Sequence, residues 1–588
     1  MSAAVALGVG CADGLDPGAT DDPSVVDDVV FRGVNVRSYD RSLPDVDAVG
    51  YEIDVAVDDR NPGRETFRAA VRGTFVATRS LTQLTLDLEG NELDGVEVEG
   101  RAVTAQRRDG TLTVPLGAAV RAGRGLRVTV RYHGLLGQAD SVNPNDFRAY
   151  GGLMVRQRNR AGRRIFASLN WPSKARRWLA VRDHPRDPAL VAWSVTFDRR
   201  WTVVANGAQE RVTDNPDGTR SWSFASTVPM PTYDLHVAAY DDWVETRGTT
   251  PQRGTAVRWL TYSRDARASM ELYRGASEAV DFFSSRFGAY AWGTMAWVEA
   301  PIFGGGMEHA TVVSMDETLF DDPATSRATA IHELAHHWSG NLVPLGSWND
   351  FWLSEGFTEY LTARFIEAHD GPEAGRAHWR GYLSEALGEE LRGTPHPLRP
   401  ADPEGDVLSI FDAISYQKGA LVLRMLEQRV GAEPFTRFLR GWFERHRGRA
   451  TTTRALETEL SAAFPSAGVP GFFAQWVHGS YHPELQVTTR YDAAARSATV
   501  TVAQTQRQGP REGFALPLTL EFSRGDQRGR ATVPLTGRST TATVPLAFDP
   551  STVTVDPDES AFLAVACGPD RCRAGYTCQR ALCIPSRP

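Results

Sequence analysis

Two histidines and a glutamate near the middle of the chain have the types and spacing of a metal site. His332 and His336 stand four residues apart in the segment AIHELAHHW, and Glu333 lies between them. On a helix, side chains four residues apart project from one face, so the two imidazoles can bind the same ion. This HExxH pattern is a signal of zinc peptidases, in which the histidines hold the metal and the glutamate moves protons. The segment therefore predicts a metal site with its own base.

A second carboxylate completes the ligand count. Glu355 lies in WLSEGF, in the first turn of another predicted amphipathic helix with apolar residues at Phe357, Leu361 and Phe365. A catalytic zinc takes three protein ligands and keeps one position open. Acidic residues also favour the first turn of a helix without binding anything, so Glu355 alone would not be decisive. Beside the two histidines, it supplies the third ligand.

The helix that carries the histidines has recognisable ends. Asp322 and Pro323 fit the N-cap and first-turn positions, and Gly340 with Asn341 is predicted to end the helix. An apolar stripe beside the ligands runs through Ile331, Ala335, Trp338 and Leu342. On such a helix His337 points roughly 100° away from its neighbour, so we expect it to pack or to bond nearby groups rather than to bind the same metal.

HELAHHW followed by WLSEGF resembles the gluzincin aminopeptidase family, the aminopeptidase N type, whose relatives include leukotriene A4 hydrolase. The resemblance extends over roughly residues 30–556. It implies one zinc ion per chain, bound by His332, His336 and Glu355. It also implies hydrolysis of N-terminal peptide bonds by metal-activated water, with Glu333 as the general base. Peptides with a free N-terminus are the implied partners.

The segment GGMEH resembles the family's GAMEN loop, with Gly306 in place of alanine and His309 in place of asparagine. Glycines let a bound chain approach the backbone, and a glutamate can pair with a charged amine. The resemblance therefore assigns substrate binding to Gly305, Gly306, Met307 and Glu308. Within this group, Glu308 is expected to bind the free N-terminus.

SYQKGA resembles the family's tyrosine-containing YxKGA segment, which makes Tyr416 the predicted hydrogen-bond donor to the oxyanion of the tetrahedral intermediate. Without the resemblance, packing would be the commoner role for a lone tyrosine. The family also places a glutamine or glutamate ahead of an Ala-Arg pair to help bind the amine. Here Trp171 stands at that position, with Asn170 adjacent. The amine anchor is thus expected to rest on Glu308.

Composition bounds the class of protein. Hydrophobic residues make up 41% and charged residues 23% of the 588 residues, as in soluble globular proteins of several domains. The net charge is −8 with no large basic block, so nucleic acid is not an expected partner. No run of about eighteen apolar residues occurs, so no transmembrane helix is predicted.

The spacing of apolar residues along the chain changes twice and so predicts successive β-rich, helical and β-rich regions. Alternation predicts an N-terminal β-domain over residues 30–262, and a helical period follows over residues 263–483. The resemblance identifies the helical part as a thermolysin-like zinc catalytic domain. Alternation returns in a small β-sandwich domain over residues 484–556, before a disulfide-rich tail over residues 557–588. The expected fold class is multidomain α+β.

Four of the five cysteines lie in the tail, at Cys567, Cys572, Cys578 and Cys583. The tail has too little apolar content to fold unaided, so we expect two disulfides and an oxidising compartment. A zinc site is the weaker alternative, because the paired CxxC spacing of structural zinc sites is missing. The connectivity of the disulfides stays open.

Cys11 stands apart from the other cysteines. It follows an apolar start that closes on small residues, and residues 1–29 continue as an acidic tether rich in Pro and Gly. This looks like the end of a bacterial lipoprotein signal, although no positive charge leads it and Leu7 lies one place too far from the cysteine. An ordinary secretion signal and a disordered N-terminus are the alternatives. We expect an extracytoplasmic protein, secreted or lipid-anchored to a bacterial membrane through Cys11.

The sequence thus predicts a zinc aminopeptidase. Trp171, His309 and the absence of a long helical domain after the second β-region keep open a zinc endopeptidase or another zinc hydrolase with weakened amine recognition. A binding protein with a silent site is the third reading. It has little support because every chemical group is present.

Overall fold

The computed structural model describes residues 29–35, 39–401, 406–568 and 572–586. A β-rich first part is followed by a helical middle part with a small sheet and by a second β-rich part. This is the multidomain α+β architecture that the apolar periods predict, and side chains from all three parts share one continuous core. No helix in the described ranges is long and apolar enough to cross a membrane. Cys11 lies outside the described residues.

An eight-stranded sheet forms the centre of the first part. Its longest hairpin pairs Val46–Asp58 with Thr66–Ala77, and Tyr51, Ile53 and Val55 alternate with more exposed residues, as predicted. Across the sheet the strands are Ala208–Asp214, Thr219–Ala225, Leu190–Asp198, Val46–Asp58, Thr66–Ala77, Gly125–Leu135, Glu92–Val98 and Arg101–Val103.

Smaller sheets complete the first part. A two-stranded sheet pairs Val30–Phe31 with Val34–Asn35. The three-stranded sheet consists of Leu81–Asp87, Thr111–Val120 and Gln106–Arg108. The five-stranded sheet consists of Gly137–Gln138, Gly152–Arg156, Ile165–Leu169, Val237–Tyr240 and Thr202–Ala205.

A second five-stranded sheet belongs to the helical middle part. Its strands, in order, are Trp243–Thr249, Ala256–Tyr262, Thr294–Glu299, Val312–Met315 and Gly306–Met307. The first two fall in the range predicted as N-terminal β-domain, but Ala256–Tyr262 pairs with Thr294–Glu299, so both join the sheet of the middle part. An alternating pattern predicts a strand without saying which sheet it enters. The edge strand Gly306–Met307 faces the cavity of the candidate site.

Helices form most of the middle part. In the described ranges they are α1 (Ala266–Leu272), α2 (Ala276–Phe287), α3 (Pro323–Ala335), α4 (Trp352–His369), α5 (Pro372–Arg392), α6 (Gly419–Val430), α7 (Ala432–Arg445), α8 (Thr453–Ala463) and α9 (Val469–Trp476).

Helix α3 begins where predicted but ends early. The Asp322 carboxylate accepts the backbone N–H of Thr325 at 3.4 Å, as an N-cap residue should. The helix stops at Ala335 instead of continuing to Gly340. Gly340 has φ +107°, and a Cβ there would lie 2.5 Å from the Ser354 hydroxyl of α4. The chain continues past Ala335 in a tight turn in which Gly340 lies against α4.

The second β-rich part contains the tail. Its six-stranded sheet runs Ser539–Pro545, Ser497–Gln504, Glu484–Asp492, Ala564–Ala566, Leu582–Pro585 and Tyr576–Gln579. A three-stranded sheet adds Gln527–Leu535, Leu516–Arg524 and Thr552–Val555. The expected disulfides are present and pair Cys567 with Cys578 and Cys572 with Cys583. The tail is thus part of the larger sheet rather than a separate appendage.

Candidate active site

The two imidazoles and the Glu355 carboxylate converge. Nε2 of His332 lies 3.1 Å from Nε2 of His336 and 3.3 Å from Oε2 of Glu355. Nε2 of His336 lies 3.2 Å from the same oxygen of Glu355. Ligands about 2.0–2.1 Å from a tetrahedral metal lie about 3.3 Å from one another, so these donors fit one zinc ion. The structure brings together the three ligands that the sequence predicts.

Charge at the cluster suits a cation. Although burial raises the pKa of Glu355, the imidazoles of His336 and His332 lower it to about 2. Burial lowers the pKa of His336, but Glu355 and Glu308 raise it to about 9. The carboxylates thus stabilise positive charge at the cluster, and a bound metal ion would take the place of the imidazole protons.

Close packing between helices positions the ligand Glu355. Its neighbour Gly356 lies against Gly419 of α6, and a Cβ on Gly356 would be 2.8 Å from the Gly419 Cα. The two glycines therefore let α4 and α6 approach closely. This approach brings the segment that precedes α6 beside the metal ligands.

Glu333 lines the cavity from between the two histidines. Burial raises its pKa to about 8, with the charges of Glu308 and Glu355 adding to the shift and the imidazoles opposing it. A carboxyl group with a pKa near the working pH can both accept and return a proton. A Cβ on Gly306 would lie 2.3 Å from the Glu333 Cγ. Glycine at this position therefore leaves room for the carboxylate.

A hydrogen bond to its backbone carbonyl group helps to place Glu308 beside the metal cluster. Its carbonyl oxygen accepts a hydrogen bond from Nδ2 of Asn341 at 2.6 Å. Glu308, Glu333 and His336 each offer an atom within 4.8 Å of the others. The glutamate predicted to bind an amine therefore lies next to the predicted base and a metal ligand.

Two further histidines are engaged outside the cluster. His337 accepts the backbone N–H of Thr311 through Nε2 at 2.9 Å, which agrees with the expected bonding role. Nδ1 of His309 bonds the Ser314 hydroxyl at 3.0 Å, and its ring stacks on that of His236 with centroids 4.0 Å apart.

Tyr416 lies in a π-helical turn, Ile414–Lys418, directly before α6. Its ring is nearly parallel to that of His332, with centroids 6.1 Å apart. Burial, with the nearby charge of Glu355, raises the pKa of Tyr416 well above its usual value. The hydroxyl therefore stays protonated and can donate a hydrogen bond. Widened turns of this kind are frequent at functional sites.

All the predicted site residues line one cavity of about 530 Å³. They are Gly305, Gly306, Met307, Glu308, His332, Glu333, His336, Glu355 and Tyr416. The structure adds lining residues that sequence reasoning did not assign to the site, from α4, from α5 and from the segments just before Gly305 and Ile414. They include Phe303, Glu359, His378, Tyr382, Glu385, Phe411 and Asp412.

Aromatic rings form one wall of the cavity. Trp171, at the place where the family has a polar amine ligand, packs on Phe411 with ring centroids 5.1 Å apart. Phe147 links Phe411 to Phe303, at 5.1 Å from each, and Phe411 lies 5.5 Å from Tyr416. Of these rings, only Trp171 could be assigned to the site from the sequence, because the others lie in distant segments that no motif marks.

Comparison with known proteins places both parts of the chain in one family. Residues 273–476 match the model of the Peptidase family M1 domain, and residues 48–233 match that of the Peptidase M1 N-terminal domain. Together the two matches cover more than half of the chain. Aminopeptidase N of Streptomyces lividans is 30% identical over 295 residues, which are 46% of this chain and 33% of the relative. The probable aminopeptidase 1 of Saccharolobus solfataricus is 28% identical over 369 residues, 59% of this chain and 45% of the relative.

Solved structures of shorter chains share the fold. A mutant M1 zinc metallopeptidase from Deinococcus radiodurans, bound to a Tyr-Ser-Ala substrate, is 26% identical with a TM-score of 0.62. The match covers 74% of this chain and 94% of that chain. A two-domain M1 zinc metallopeptidase mutant bound to L-tryptophan has a TM-score of 0.65 at 25% identity and covers 76% and 97%.

An HExxH helix, a glutamate ligand on the next helix and a β-rich first part define a metallopeptidase of the gluzincin class. The chain belongs to peptidase family M1, which confirms the resemblance to the aminopeptidase N type. It spans less than half the length of the curated relatives it matches.

Proposed function

We propose that the protein is a zinc aminopeptidase that hydrolyses the first peptide bond of substrates with a free N-terminus. One observation carries the proposal: Glu308, Glu333 and His336 offer atoms within 4.8 Å of one another. A carboxylate that can pair with an ammonium group thus lies beside the base and the metal cluster. A peptide held there by its N-terminus presents its first peptide bond to the cluster.

Zinc would be held by His332, His336 and Glu355. When bound, it would polarise the scissile carbonyl and make water more acidic. Glu333 accepts the proton of the attacking water and delivers it to the leaving amine. Tyr416 donates a hydrogen bond to the carbonyl oxygen as negative charge develops there.

The aromatic wall suggests which first side chain the site prefers. With the ammonium at Glu308 and the carbonyl at Tyr416, the first side chain leaves the substrate backbone between them. The apolar surface of the cavity includes Met307, Trp171, Phe303 and Phe411. A large apolar first residue fits this surface best.

Amine recognition is tested with paired substrates. The protein should cleave a free tripeptide with an aromatic first residue and leave its N-acetylated form intact, because acetylation removes the charge that Glu308 binds. Glu308→Gln should raise KM for the free peptide. Comparable cleavage of both forms would instead favour an endopeptidase, the alternative that Trp171 raises.

The chemical role of Glu333 is tested by substitution. Glu333→Gln should lower kcat by about 10²–10⁴ while leaving zinc content unchanged, because the side chain handles protons and is not a metal ligand. Glu373→Gln, an exposed change on α5, is the control. Full activity of Glu333→Gln on an aminoacyl amide would contradict the assignment.

We infer that the protein acts outside the cytoplasm. The two disulfides of the tail support an oxidising compartment. A lipid anchor at Cys11 is part of the proposal and is tested by fractionation. Cys11→Ser should move the protein from the membrane fraction to the soluble fraction. An unchanged distribution would rule out the anchor.

A further inference from the structure

Glu359 is a buried carboxylate one helical turn beyond the ligand Glu355 on α4. Its Oε2 lies 3.5 Å from Nδ1 of His332, close enough for an ionic contact. This nitrogen is on the opposite side of the ring from Nε2, which points to the metal cluster. Glu359 therefore contacts the predicted metal ligand His332 on the side of the ring that faces away from the metal cluster.

Two more side chains hold the same carboxylate. Tyr382 of α5 donates its hydroxyl to Oε2 of Glu359, and Nε2 of His378 lies 2.8 Å from the Tyr382 oxygen. Nε2 of Gln417, the residue after Tyr416, donates to Oε1 at 3.0 Å. Glu359 thus joins three elements of the site: α3 through His332, α5, and the π-helical turn.

The other histidine ligand has a different environment. Nδ1 of His336 lies 3.1 Å from the backbone oxygen of Ser339, 3.2 Å from the Ser354 hydroxyl and 3.1 Å from the Thr358 hydroxyl. These partners are neutral. Among the described residues, Nδ1 of His332 thus contacts a carboxylate, whereas Nδ1 of His336 contacts only neutral groups.

We propose that Glu359 is the positioning residue for His332 as a metal ligand. Its carboxylate faces Nδ1 and keeps the ring proton there, which leaves the lone pair of Nε2 directed at the metal and makes the imidazole a stronger donor. Tyr382 and Gln417 fix the carboxylate so that it cannot rotate away. The inference rests on the metal site of the proposed function and not on its substrate.

Zinc affinity is the measurement that tests this role. The metal-free protein is titrated with zinc against a chromophoric chelator, without any substrate. Glu359→Gln, which keeps the shape of the side chain and removes its charge, should bind zinc about 10–100-fold more weakly than the natural chain. Tyr382→Phe, which removes one support of the carboxylate, should cause a smaller loss. Glu373→Gln should leave the affinity unchanged.

Thermal unfolding of the metal-free variants separates positioning from folding. Positioning predicts that metal-free Glu359→Gln still unfolds in one cooperative transition, although it has lost a buried contact, while its zinc affinity falls. Equal zinc affinity in the natural chain and Glu359→Gln would overturn the inference and leave the proposed function intact. If the natural chain bound no zinc, the proposed function would fail instead.

Discussion

A large apolar first residue is the substrate preference that the aromatic wall predicts, and Phe303→Ala tests it. Phe303 is half-buried and lines the cavity, and its ring centroid lies 5.1 Å from that of Phe147. Truncating its side chain should therefore change the aromatic wall with little effect on the metal cluster. A covered aromatic side chain buries about 150–250 Å². If Phe303 covers about 60 Å² of the substrate's first side chain, removal of Phe303 costs about 1.5 kcal/mol of binding free energy at about 25 cal/mol per Å².

That free energy corresponds to about a tenfold fall in kcat/KM for a substrate that uses the wall. The assay compares aminoacyl coumarin amides carrying phenylalanine, leucine, alanine, arginine and glutamate. The natural chain should prefer phenylalanine and leucine. Phe303→Ala should lose about tenfold on the phenylalanine substrate and stay within about twofold on alanine. Phe282→Ala, a half-buried phenylalanine of α2 outside the cavity lining, is the control.

Two results would refute this reasoning. One is a preference of the natural chain for glutamate or arginine, which would place the first side chain on the acidic side of the cavity near Glu385 and Asp412. The other is an equal loss on all five substrates in Phe303→Ala. In that case Phe303 would support the site as a whole rather than contact the side chain.

Three further predictions concern the metal, acid stability and the core. A strong chelator should abolish turnover and added zinc should restore it; activity that survives complete metal removal would contradict the mechanism. Unfolding by urea should become easier as pH falls from about 6.5 towards 3, because burial lowers the pKa of His236 to about 3 and the unfolded chain binds the proton that the fold excludes. Burial likewise lowers the pKa of His309, so His309→Asn should make the dependence of the urea midpoint on pH shallower; an unchanged slope would argue against this cause. Lys418→Met should destabilise the protein by about 3 kcal/mol, since it removes the fully buried ammonium group 2.6 Å from Glu390 and leaves His482 as the remaining partner of that carboxylate. Adding Glu390→Gln should recover part of that loss in the same denaturation assay, and no recovery would mean that the ion pair is not its source.

Local spacing explains which parts of the site could be predicted from sequence. His332 and His336 follow from the period of one helix, and Glu355 from the start of the next. Tyr416 and Glu308 lie in separate segments, so their assignment depended on the family resemblance.

The parts that were missed depend on tertiary contacts. Glu359 had a signal in its spacing of one turn from Glu355, but its partner Tyr382 comes from α5, which no motif marks. Likewise, α3 ends at Ala335 and is followed by a tight turn in which Gly340 lies against α4, a tertiary contact that the periodicity of apolar residues cannot predict.

The position of the C-terminal tail has a practical consequence for protein production. Strand Leu582–Pro585 lies between Ala564–Ala566 and Tyr576–Gln579, and its Pro585 carbonyl accepts the Ser384 hydroxyl of α5 at 2.8 Å. The same helix carries Tyr382 to the cavity. A shortened clone that stops after residue 556, or synthesis in a reducing host, would therefore leave one wall of the catalytic centre without its support.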